Sequence, residues 1–365
     1  MKKIMIVFGT RPEAIKMGPL VKVLKKEPSF DVVVCVTGQH KEMLKQVLDV
    51  FEIEPDYNLN IMKKEQDLFD VTSNILTKIK PVLINEKPDL VLVHGDTTTT
   101  FAASLASFYC QIKVGHVEAG LRTHNLMSPF PEEFNRTAVG DIASYHFCPT
   151  EATRKNLILE NKNIETLYVT GNTAIDALNT TIKDNYQHEL FNWIGNNKLI
   201  MLTVHRRENL GDPMRNMFRA INRVCNEHED IRIIYPIHLN TNIREIANKE
   251  LSGNNKVKIV EPFEVVDFHN FLSKSYLILT DSGGIQEEAP SLGKPVLVLR
   301  DTTERPEGVE AGTLRVIGQS EQNIYTHFNE LLLDVDTYKK MSETKNPYGD
   351  GKASERIKDI LLRML

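Results

Sequence analysis

The fold is decided by one stretch that joins an apolar run to a helix start: Leu277-Ile278-Leu279-Thr280-Asp281-Ser282-Gly283-Gly284-Ile285-Gln286-Glu287-Glu288. The run 277–280 is short, apolar and continuous, which is typical of a strand buried on both faces of a parallel sheet. The two glycines let the backbone approach a ligand without a Cβ in the way. The helix expected to follow offers free N–H groups and a positive dipole end, so the stretch predicts a phosphate-binding loop.

Short apolar runs of this kind recur along the chain, separated by polar turns and amphipathic segments. They are Ile4–Phe8, Val32–Val36, Leu90–Val93, Lys113–Val117, Tyr145–Cys148, Leu167–Val169, Leu199–Val204, Ile231–Tyr235, Val257–Val260, Leu277–Thr280, Val296–Leu299 and Leu314–Ile317. Strand-helix alternation predicts an α/β fold with doubly wound parallel sheets. Because an open sheet rarely exceeds about ten strands, we predict two Rossmann-like domains of about six strands each.

The domain boundary is predicted near Gly171. Residues 1–171 then form the first domain and residues 172–352 the second. The turn-rich stretch 346–351 precedes an amphipathic C-terminal segment. We expect that segment, residues 353–365, to form a helix that packs back on the first domain.

The composition is that of an ordinary soluble protein, with 41% hydrophobic residues, 25% charged residues and a net charge of −5. This balance does not indicate a nucleic-acid groove. No stretch approaches the roughly 20 apolar residues of a membrane span. The four cysteines form no CxxC pair, and most lie in or beside apolar runs, which indicates reduced thiols. We expect a cytoplasmic protein that binds neither nucleic acid nor membrane.

Ligands of open α/β sheets bind at the carboxyl ends of the strands, where the first domain places several charged residues. Arg11 and Lys16 follow the first run, in positions that suit an anion. Asp96 and Glu118 follow later runs, and Glu132 lies farther on. Each alone is more often structural, but clustered carboxylates raise one another's pKa and together form a candidate acid/base set.

The strand ends of the second domain carry His205 and Arg206 after one run and His238 after the next. Glu288, one turn into the helix, suits two ribose hydroxyls, and Arg305 suits a phosphate or a base pocket. In the first domain, the pairs His94-x-Asp96 and His116-x-Glu118 leave a metal site open as an alternative. We predict no metal, because neither HExxH nor CxxC supports one.

Three other motif readings fail. Asp-Ser-Gly-Gly also surrounds the nucleophile of trypsin-like proteases, but those are all-β barrels, whereas here it joins a buried strand to a helix. Residues 9–16 lack the Gly-Lys-Ser/Thr ending of a P-loop. No GxGxxG follows the first strand, which weakens a dehydrogenase interpretation.

Six ordered motifs together resemble the bacterial non-hydrolysing UDP-N-acetylglucosamine 2-epimerases over essentially the whole chain. They are Gly9–Glu13, His94–Thr97, His116–Arg122, Pro131–Arg136, His205–Asn209 and Asp281–Leu292. The resemblance implies a GT-B-like arrangement, with the substrate in a cleft between two Rossmann-like domains, and a homodimer. It implies interconversion of UDP-GlcNAc and UDP-ManNAc for cell-surface polysaccharide, with neither NAD nor a metal.

The resemblance also implies roles for individual residues. Asp96, Glu118 and Glu132 match the catalytic carboxylates. Binding roles fall on Ser282, Gly283 and Gly284 for the diphosphate, Glu288 for the ribose, Phe268 beside the uracil, Arg305 for the nucleotide, and Arg11, Lys16 and His205 along the cleft. We count His205 with the catalytic set.

Some family members bind UDP-GlcNAc at a second, activating site. Gln39, Arg206 and His238, together with Glu132, match positions used there. Glu42 and Glu65 depart from the glutamine and arginine of the family pattern, which argues against activation in this chain.

Three alternative functions remain open at the level of sequence. A hydrolysing epimerase shares the fold and some motifs, and a GT-B glycosyltransferase shares the fold and the diphosphate loop. A sugar-nucleotide-binding regulator without turnover is the third.

Overall fold

The structure is a computed structural model that describes residues 1–38, 41–63 and 66–365, with the side chains of all of these except 41–43 and 207. The described chain divides into two compact units. The first unit is Met1–Thr180 together with Tyr348–Leu365, and the second is Thr181–Pro347.

The first unit is built on a parallel sheet in the order β3-β2-β1-β4-β5-β6-β7. Its strands are β1 (Lys2–Phe8), β2 (Phe30–Val36), β3 (Tyr57–Asn58), β4 (Leu90–His94), β5 (Lys113–Val117), β6 (Tyr145–Cys148) and β7 (Leu167–Val169). The helices are α1 (Arg11–Lys25), α2 (Lys41–Val50), α3 (Leu68–Glu86), α4 (Thr98–Tyr109), α5 (Glu132–Ile142), α6 (Glu151–Leu159), α7 (Thr173–Thr181) and, at the C-terminus, α16 (Ala353–Met364).

The second unit is built on a parallel sheet in the order β10-β9-β8-β11-β12-β13. Its strands are β8 (Lys198–Thr203), β9 (Ile231–Pro236), β10 (Val257–Val260), β11 (Leu277–Thr280), β12 (Val296–Val298) and β13 (Leu314–Val316). The helices are α8 (Leu190–Ile194), α9 (Asp212–Glu227), α10 (Thr241–Leu251), α11 (Val265–Lys274), α12 (Ile285–Ser291), α13 (Pro306–Ala311), α14 (Glu321–Leu333) and α15 (Val335–Ser342).

Each sheet has one topological switch point, where the strand order reverses. It lies between β1 and β4 in the first unit and between β8 and β11 in the second. The loops after these strands carry Gly9–Arg11, Gly95–Asp96, His205–Arg206 and Asp281–Gly284. Because parallel sheets bind ligands at such points, both candidate sets of charged residues stand where a ligand is expected.

Two features of the fold differ from the sequence-based expectation. β3 is a two-residue strand whose residues give no apolar run, so the first sheet has seven strands instead of about six. The first unit also extends to Thr180 and resumes at Tyr348, rather than ending at 171 and resuming at 353. Within this unit the carboxylate of Asp176 accepts hydrogen bonds from the amides of Ala353 (3.1 Å) and Ser354 (2.6 Å) and so holds α7 to α16.

The helices of the described chain include none that combines the length and apolar character needed to cross a bilayer.

Candidate functional site

The loops at the first switch point are joined by Glu13, a residue to which the sequence analysis assigned no role. Its side chain is 2% exposed. One carboxylate oxygen accepts the amide N–H groups of Gly9 (3.0 Å) and Thr10 (2.7 Å), and the other accepts the Thr97 hydroxyl at 2.7 Å. A Cβ on Gly9 would lie 2.0 Å from Thr37 Oγ1. Arg11 and Lys16 therefore project from a helix whose start is fixed against β4.

Glu118 sits directly after β5 in the left-handed backbone region, with φ +61°. This conformation is uncommon for a residue with a Cβ and marks a constrained position. Its Oε2 accepts hydrogen bonds from Lys16 Nζ (2.5 Å) and Asn172 Nδ2 (3.0 Å), and His94 Nε2 lies 3.6 Å away. Three side chains from three different segments thus converge on one oxygen.

The charge state of Glu118 follows from these neighbours. Burial acts to raise its pKa, but the Lys16 ammonium and the His94 imidazole outweigh burial and hold the pKa well below its ordinary value. Glu118 is therefore an anion at neutral pH, which is the form that accepts a proton.

The pKa of Asp96 is shifted in the opposite direction. Burial raises its pKa, and the negative charges of Glu118 and Glu132 act in the same direction. The guanidinium of Arg136 donates a 2.5 Å hydrogen bond to Asp96 Oδ2 and opposes the rise without cancelling it. Asp96 is thus closer to the protonated form than an ordinary aspartate.

Glu132 is the first residue of α5 and is half-buried. Its negative charge acts to raise the pKa of Asp96. The next residue, Glu133, is buried and accepts the amides of Thr123 (2.9 Å) and His124 (2.8 Å), which holds the preceding loop against α5. The structure thus brings all three predicted carboxylates into one electrostatic group.

The histidine pairs considered for a metal have other contacts. His116 Nε2 lies 2.7 Å from the carbonyl of Gly95, and burial lowers the pKa of His116 to about 3. Within the described residues, no group of three or more His, Cys, Asp and Glu side chains is placed to hold a metal ion.

In the second unit, the fully buried carboxylate of Asp281 organises the strand ends. Its Oδ2 accepts the amides of His205 (2.9 Å) and Arg206 (2.9 Å) and the side-chain amide of Asn209 at 2.8 Å. Its other oxygen, Oδ1, lies 3.3 Å from His205 Nδ1. The β8 and β11 loops are therefore joined through one side chain.

His205 keeps 40% of its side chain exposed and stacks on His238, with ring centroids 5.8 Å apart and planes 16° apart. Burial lowers the pKa of His205, His238 and Arg206 act in the same direction, and Asp281 opposes them. The imidazole is thus neutral at pH 7 and gains a proton more readily when an anion is placed beside it.

The loop Asp281–Gly284, here called the Gly-Gly loop, presents unused donors. The amides of Gly283 and Gly284 donate no hydrogen bond to any residue in the described part of the chain. A Cβ on Gly283 would lie 3.1 Å from Glu304 Oε1 and 3.4 Å from Arg305 Cζ. Because a glycine has no Cβ, neither residue places a side chain of its own between these two N–H groups and an oxyanion.

Two arginines flank the Gly-Gly loop. Arg305 Nε donates to Glu287 Oε1 at 2.8 Å. Arg206 donates to the Asp281 carbonyl and to Glu304 Oε1, both at 2.9 Å. Burial acts to raise the pKa of Glu304, but Arg305 and Arg300 hold it at about 2. Glu304 thus holds Arg206 and Arg305 together as a charged cluster beside the loop.

Glu288 and Phe268 lie on either side of His269. Glu288 Oε2 is 3.6 Å from His269 Nε2, and the Thr181 hydroxyl lies 2.7 Å from His269 Nδ1. Phe268 is partly buried, with its ring centroid 6.1 Å from that of His269. Both side chains are therefore supported from α11.

Several of the predicted site residues lie at the strand ends of their sheets, and others fall outside the described part of the chain. Gln39 and Glu65 lie outside the described residues, as does the side chain of Glu42. The sequence analysis did not identify Arg136 or Asn172, although both contact predicted carboxylates. Asn172 lies three residues after the end of β7, close to a strand end, but the sequence analysis interprets this position as a domain boundary.

Comparison with known proteins places the chain in a family. The sequence model described as UDP-N-acetylglucosamine 2-epimerase matches residues 22–362. A Bacillus subtilis UDP-N-acetylglucosamine 2-epimerase is 62% identical over 360 residues, covering 99% of this chain and 95% of the relative.

Solved structures agree. The UDP-GlcNAc 2-epimerase of Neisseria meningitidis, solved bound to UDP-GlcNAc, has 49% identity and a TM-score of 0.90, with 99% of this chain and 100% of that chain covered. An S. aureus protein named MnaA, solved in a co-structure with UDP, has 52% identity and a TM-score of 0.91, with 100% and 98% covered. These matches confirm the predicted GT-B-like class of two parallel-sheet α/β units, and the chain belongs to the UDP-N-acetylglucosamine 2-epimerase family.

Proposed function

We propose that the protein interconverts UDP-GlcNAc and UDP-ManNAc by inverting C2 of the sugar, without releasing the free sugar. The observation that carries this proposal is the opposite protonation tendency of two carboxylates in one group: Glu118 is held ionised and Asp96 is pushed toward the protonated form. Paired groups whose pKa values are driven apart are suited to act as base and acid. Membership of the family supplies the substrate.

The chemistry requires the leaving group to depart before or with the proton. C2 carries no carbonyl, so its hydrogen is poorly acidic. As the C1–O bond breaks, its electron pair leaves with UDP, and C1 becomes oxocarbenium-like. Loss of the C2 proton to a carboxylate then forms the C1=C2 double bond of 2-acetamidoglucal. Protonation of C2 on the opposite face and return of UDP to C1 give the epimer.

The first unit supplies the proton transfers. Glu118 is the proton acceptor in one direction, since Lys16 and His94 keep it ionised. Asp96 donates on the opposite face, and Glu132 stabilises its protonated form through like charge. In the reverse direction the two exchange roles. We assign to Arg11 and Lys16 the role of cations that stabilise the charge of the leaving group.

The second unit supplies the stabilisation of UDP. The amides of Gly283 and Gly284, with the Ser282 hydroxyl, donate to the diphosphate, and Arg305 neutralises it. His205 gains a proton as negative charge develops on the leaving oxygen, because that charge opposes the burial and the neighbouring cations that lower its pKa. Glu288 accepts ribose hydroxyls, and Phe268 packs on the uracil.

Product analysis tests the proposal. Incubation with UDP-GlcNAc alone is expected to give UDP-ManNAc with at most a trace of free sugar. Stoichiometric free ManNAc and UDP would instead identify a hydrolysing epimerase. UDP release that depends on an added acceptor would identify a glycosyltransferase, and binding without any product would identify a regulator.

A single methyl group on the Gly-Gly loop is expected to weaken UDP binding. In Gly283→Ala the new Cβ meets Glu304 and Arg305 at 3.1–3.4 Å and partly covers the loop N–H groups. We expect the Kd for UDP to rise about tenfold, a loss of about 1.4 kcal/mol, by isothermal titration calorimetry. Gly253→Ala is the control, because nothing lies within 4 Å of its Cβ. Equal affinities for the two variants would contradict the assignment of the diphosphate to this loop.

We propose a homodimer that supplies a precursor for cell-surface polysaccharide from the cytoplasm. His238 and Arg206 remain candidates for an activating UDP-GlcNAc site, with Gln39. Hyperbolic kinetics, with no requirement for UDP-GlcNAc in the reverse reaction, would argue against such activation.

A further inference from the structure

The two oxygens of Glu118 have very different surroundings. Oε2 accepts hydrogen bonds from Lys16 and Asn172 and lies 3.6 Å from His94 Nε2. Oε1 accepts no hydrogen bond from the residues that the structure describes, and a Cβ built on Gly95 would lie 3.6 Å from it. Since glycine stands there, no side chain from position 95 covers this oxygen. The carboxylate is thus anchored through one oxygen and open at the other.

The orientation of the Asn172 side chain is fixed by its own contacts. Its side chain is 2% exposed. Its Oδ1 accepts the amide of Ala174 at 2.9 Å, which caps the start of α7, so Nδ2 faces Glu118 Oε2. A flipped amide would set its NH₂ against the Ala174 N–H and its oxygen against the carboxylate. The contacts therefore determine which atom of Asn172 is the donor.

The backbone of Asn172 is held as firmly as its side chain. Its amide N–H donates to the Tyr348 carbonyl at 2.8 Å, and its carbonyl accepts from the Ile175 amide at 3.1 Å. Tyr348 is the first residue of the segment that re-enters the first unit. Asn172 thus connects Glu118 both to α7, which precedes the second unit in the sequence, and to Tyr348, which follows it.

We propose that Asn172 is a positioning residue for Glu118, which fixes Oε2 as the anchored oxygen and leaves Oε1 as the atom that exchanges a proton with C2 of the sugar. The inference rests on the proposed role of Glu118. It adds a neutral, orientation-determined donor to the charged contact from Lys16, and so selects one oxygen of the carboxylate.

The charged and titratable groups around Glu118 decide what a change at Asn172 does. They are Lys16 from α1, His94 from β4 and Asp96 from the following loop. Lys16 and His94 lower the pKa of Glu118. A carboxylate at position 172 would add a negative charge and raise the pKa of Glu118. The two carboxylates would then keep a shared proton to higher pH, so the acid limb of the pH–rate profile would move to higher pH.

Asn172→Asp and Asn172→Ser form a matched test. Both aspartate and serine are good N-caps, so each variant keeps the contact to Ala174. Aspartate places an acceptor against Glu118 Oε2, whereas serine is too short to reach it. If capping were the only role of Asn172, the two variants would behave alike.

The measurements are kcat and KM for UDP-GlcNAc over a range of pH, with thermal melting of each full-length variant. For Asn172→Asp we expect kcat to fall about 100-fold or more and KM to stay within about threefold. In the reaction direction in which Glu118 receives the proton, the acid limb of the kcat/KM profile should move to higher pH by about one unit. For Asn172→Ser we expect about a tenfold fall in kcat with a smaller shift of the limb.

The outcomes separate this inference from the proposed function. Wild-type kcat and acid limb in Asn172→Asp would overturn it, as would equal losses in both variants at an unshifted limb. If Asn172→Asp does not fold, wild-type behaviour of Asn172→Ser overturns it instead. Glu118→Gln serves as the reference. An active Glu118→Gln enzyme refutes the carboxylate role itself, whereas an inactive one beside a wild-type-like Asn172→Asp refutes only the positioning role.

Discussion

Glu118→Gln is expected to lower kcat about 10³-fold, within the range that removal of a general acid or base produces. Glutamine has nearly the shape of glutamate but neither accepts the C2 proton nor balances the charge of Lys16, whose Nζ lies 2.5 Å from Glu118 Oε2. KM for UDP-GlcNAc should change little, because the Gly-Gly loop, Arg305, Glu288 and Phe268, which are proposed to hold UDP, all lie on the second unit. Steady-state kinetics of the purified full-length protein measure both constants.

The control for this substitution is Glu151→Gln. Glu151 is also in the first unit, but its side chain is 65% exposed, and its ion-pair partner among the described residues is Arg154, at 3.4 Å. The kcat of the Glu151→Gln enzyme should equal that of the wild type. Asp96→Asn should show a loss comparable to that of Glu118→Gln. If both Asp96→Asn and Glu118→Gln keep turnover near the wild-type value, the carboxylate hypothesis is wrong.

Asp281→Ala is expected to reduce the free energy of unfolding by about 3 kcal/mol, because it leaves buried donors without an acceptor. The carboxylate is fully buried and accepts two backbone amides and the Asn209 side chain at 2.8–2.9 Å. UDP affinity should also fall, since His205 loses the carboxylate 3.3 Å from its Nδ1. Chemical denaturation and calorimetry measure the two effects.

The matched control is Asp212→Ala, in the same unit. Asp212 is 87% exposed, and its ion-pair partner in the described part of the chain is Arg215 of the same helix. Its removal should therefore change stability by no more than about 0.5 kcal/mol. Indistinguishable denaturation curves for the two variants would show that Asp281 does not organise the β8 and β11 loops.

The sheets were predictable because their strands carry a physical signal that a window of sequence contains. Runs such as Ile4–Phe8 and Leu277–Thr280 are apolar throughout, since helices cover both faces of a parallel sheet. β3 lacks this signal: Tyr57 and Asn58 pair with Cys35 and Val36 at the sheet edge, without an apolar run of their own. Its position is fixed by its partner strand and not by its own composition.

The site was predictable as far as strand ends determine it. Asp96, Glu118 and Gly283 follow apolar runs, and parallel topology brings such positions to one edge of their sheet. Asn172 was not predictable in its role, because a hydrogen bond between segments distant in sequence defines it. The contact between Asn172 and Glu118 spans 54 residues. Nor does sequence show which of two neighbouring carboxylates is ionised, since that depends on burial and on partners such as Lys16.

Incubation of the protein with UDP-GlcNAc in D2O tests the central claim most directly. Proton removal and return by different groups, with UDP leaving and adding back, predict that solvent deuterium enters at C2. NMR and mass spectrometry should show this deuterium in both UDP-GlcNAc and UDP-ManNAc, with UDP still attached. Formation of UDP-ManNAc with protium fully retained at C2 would contradict the account, because inversion would then proceed without proton exchange at that carbon.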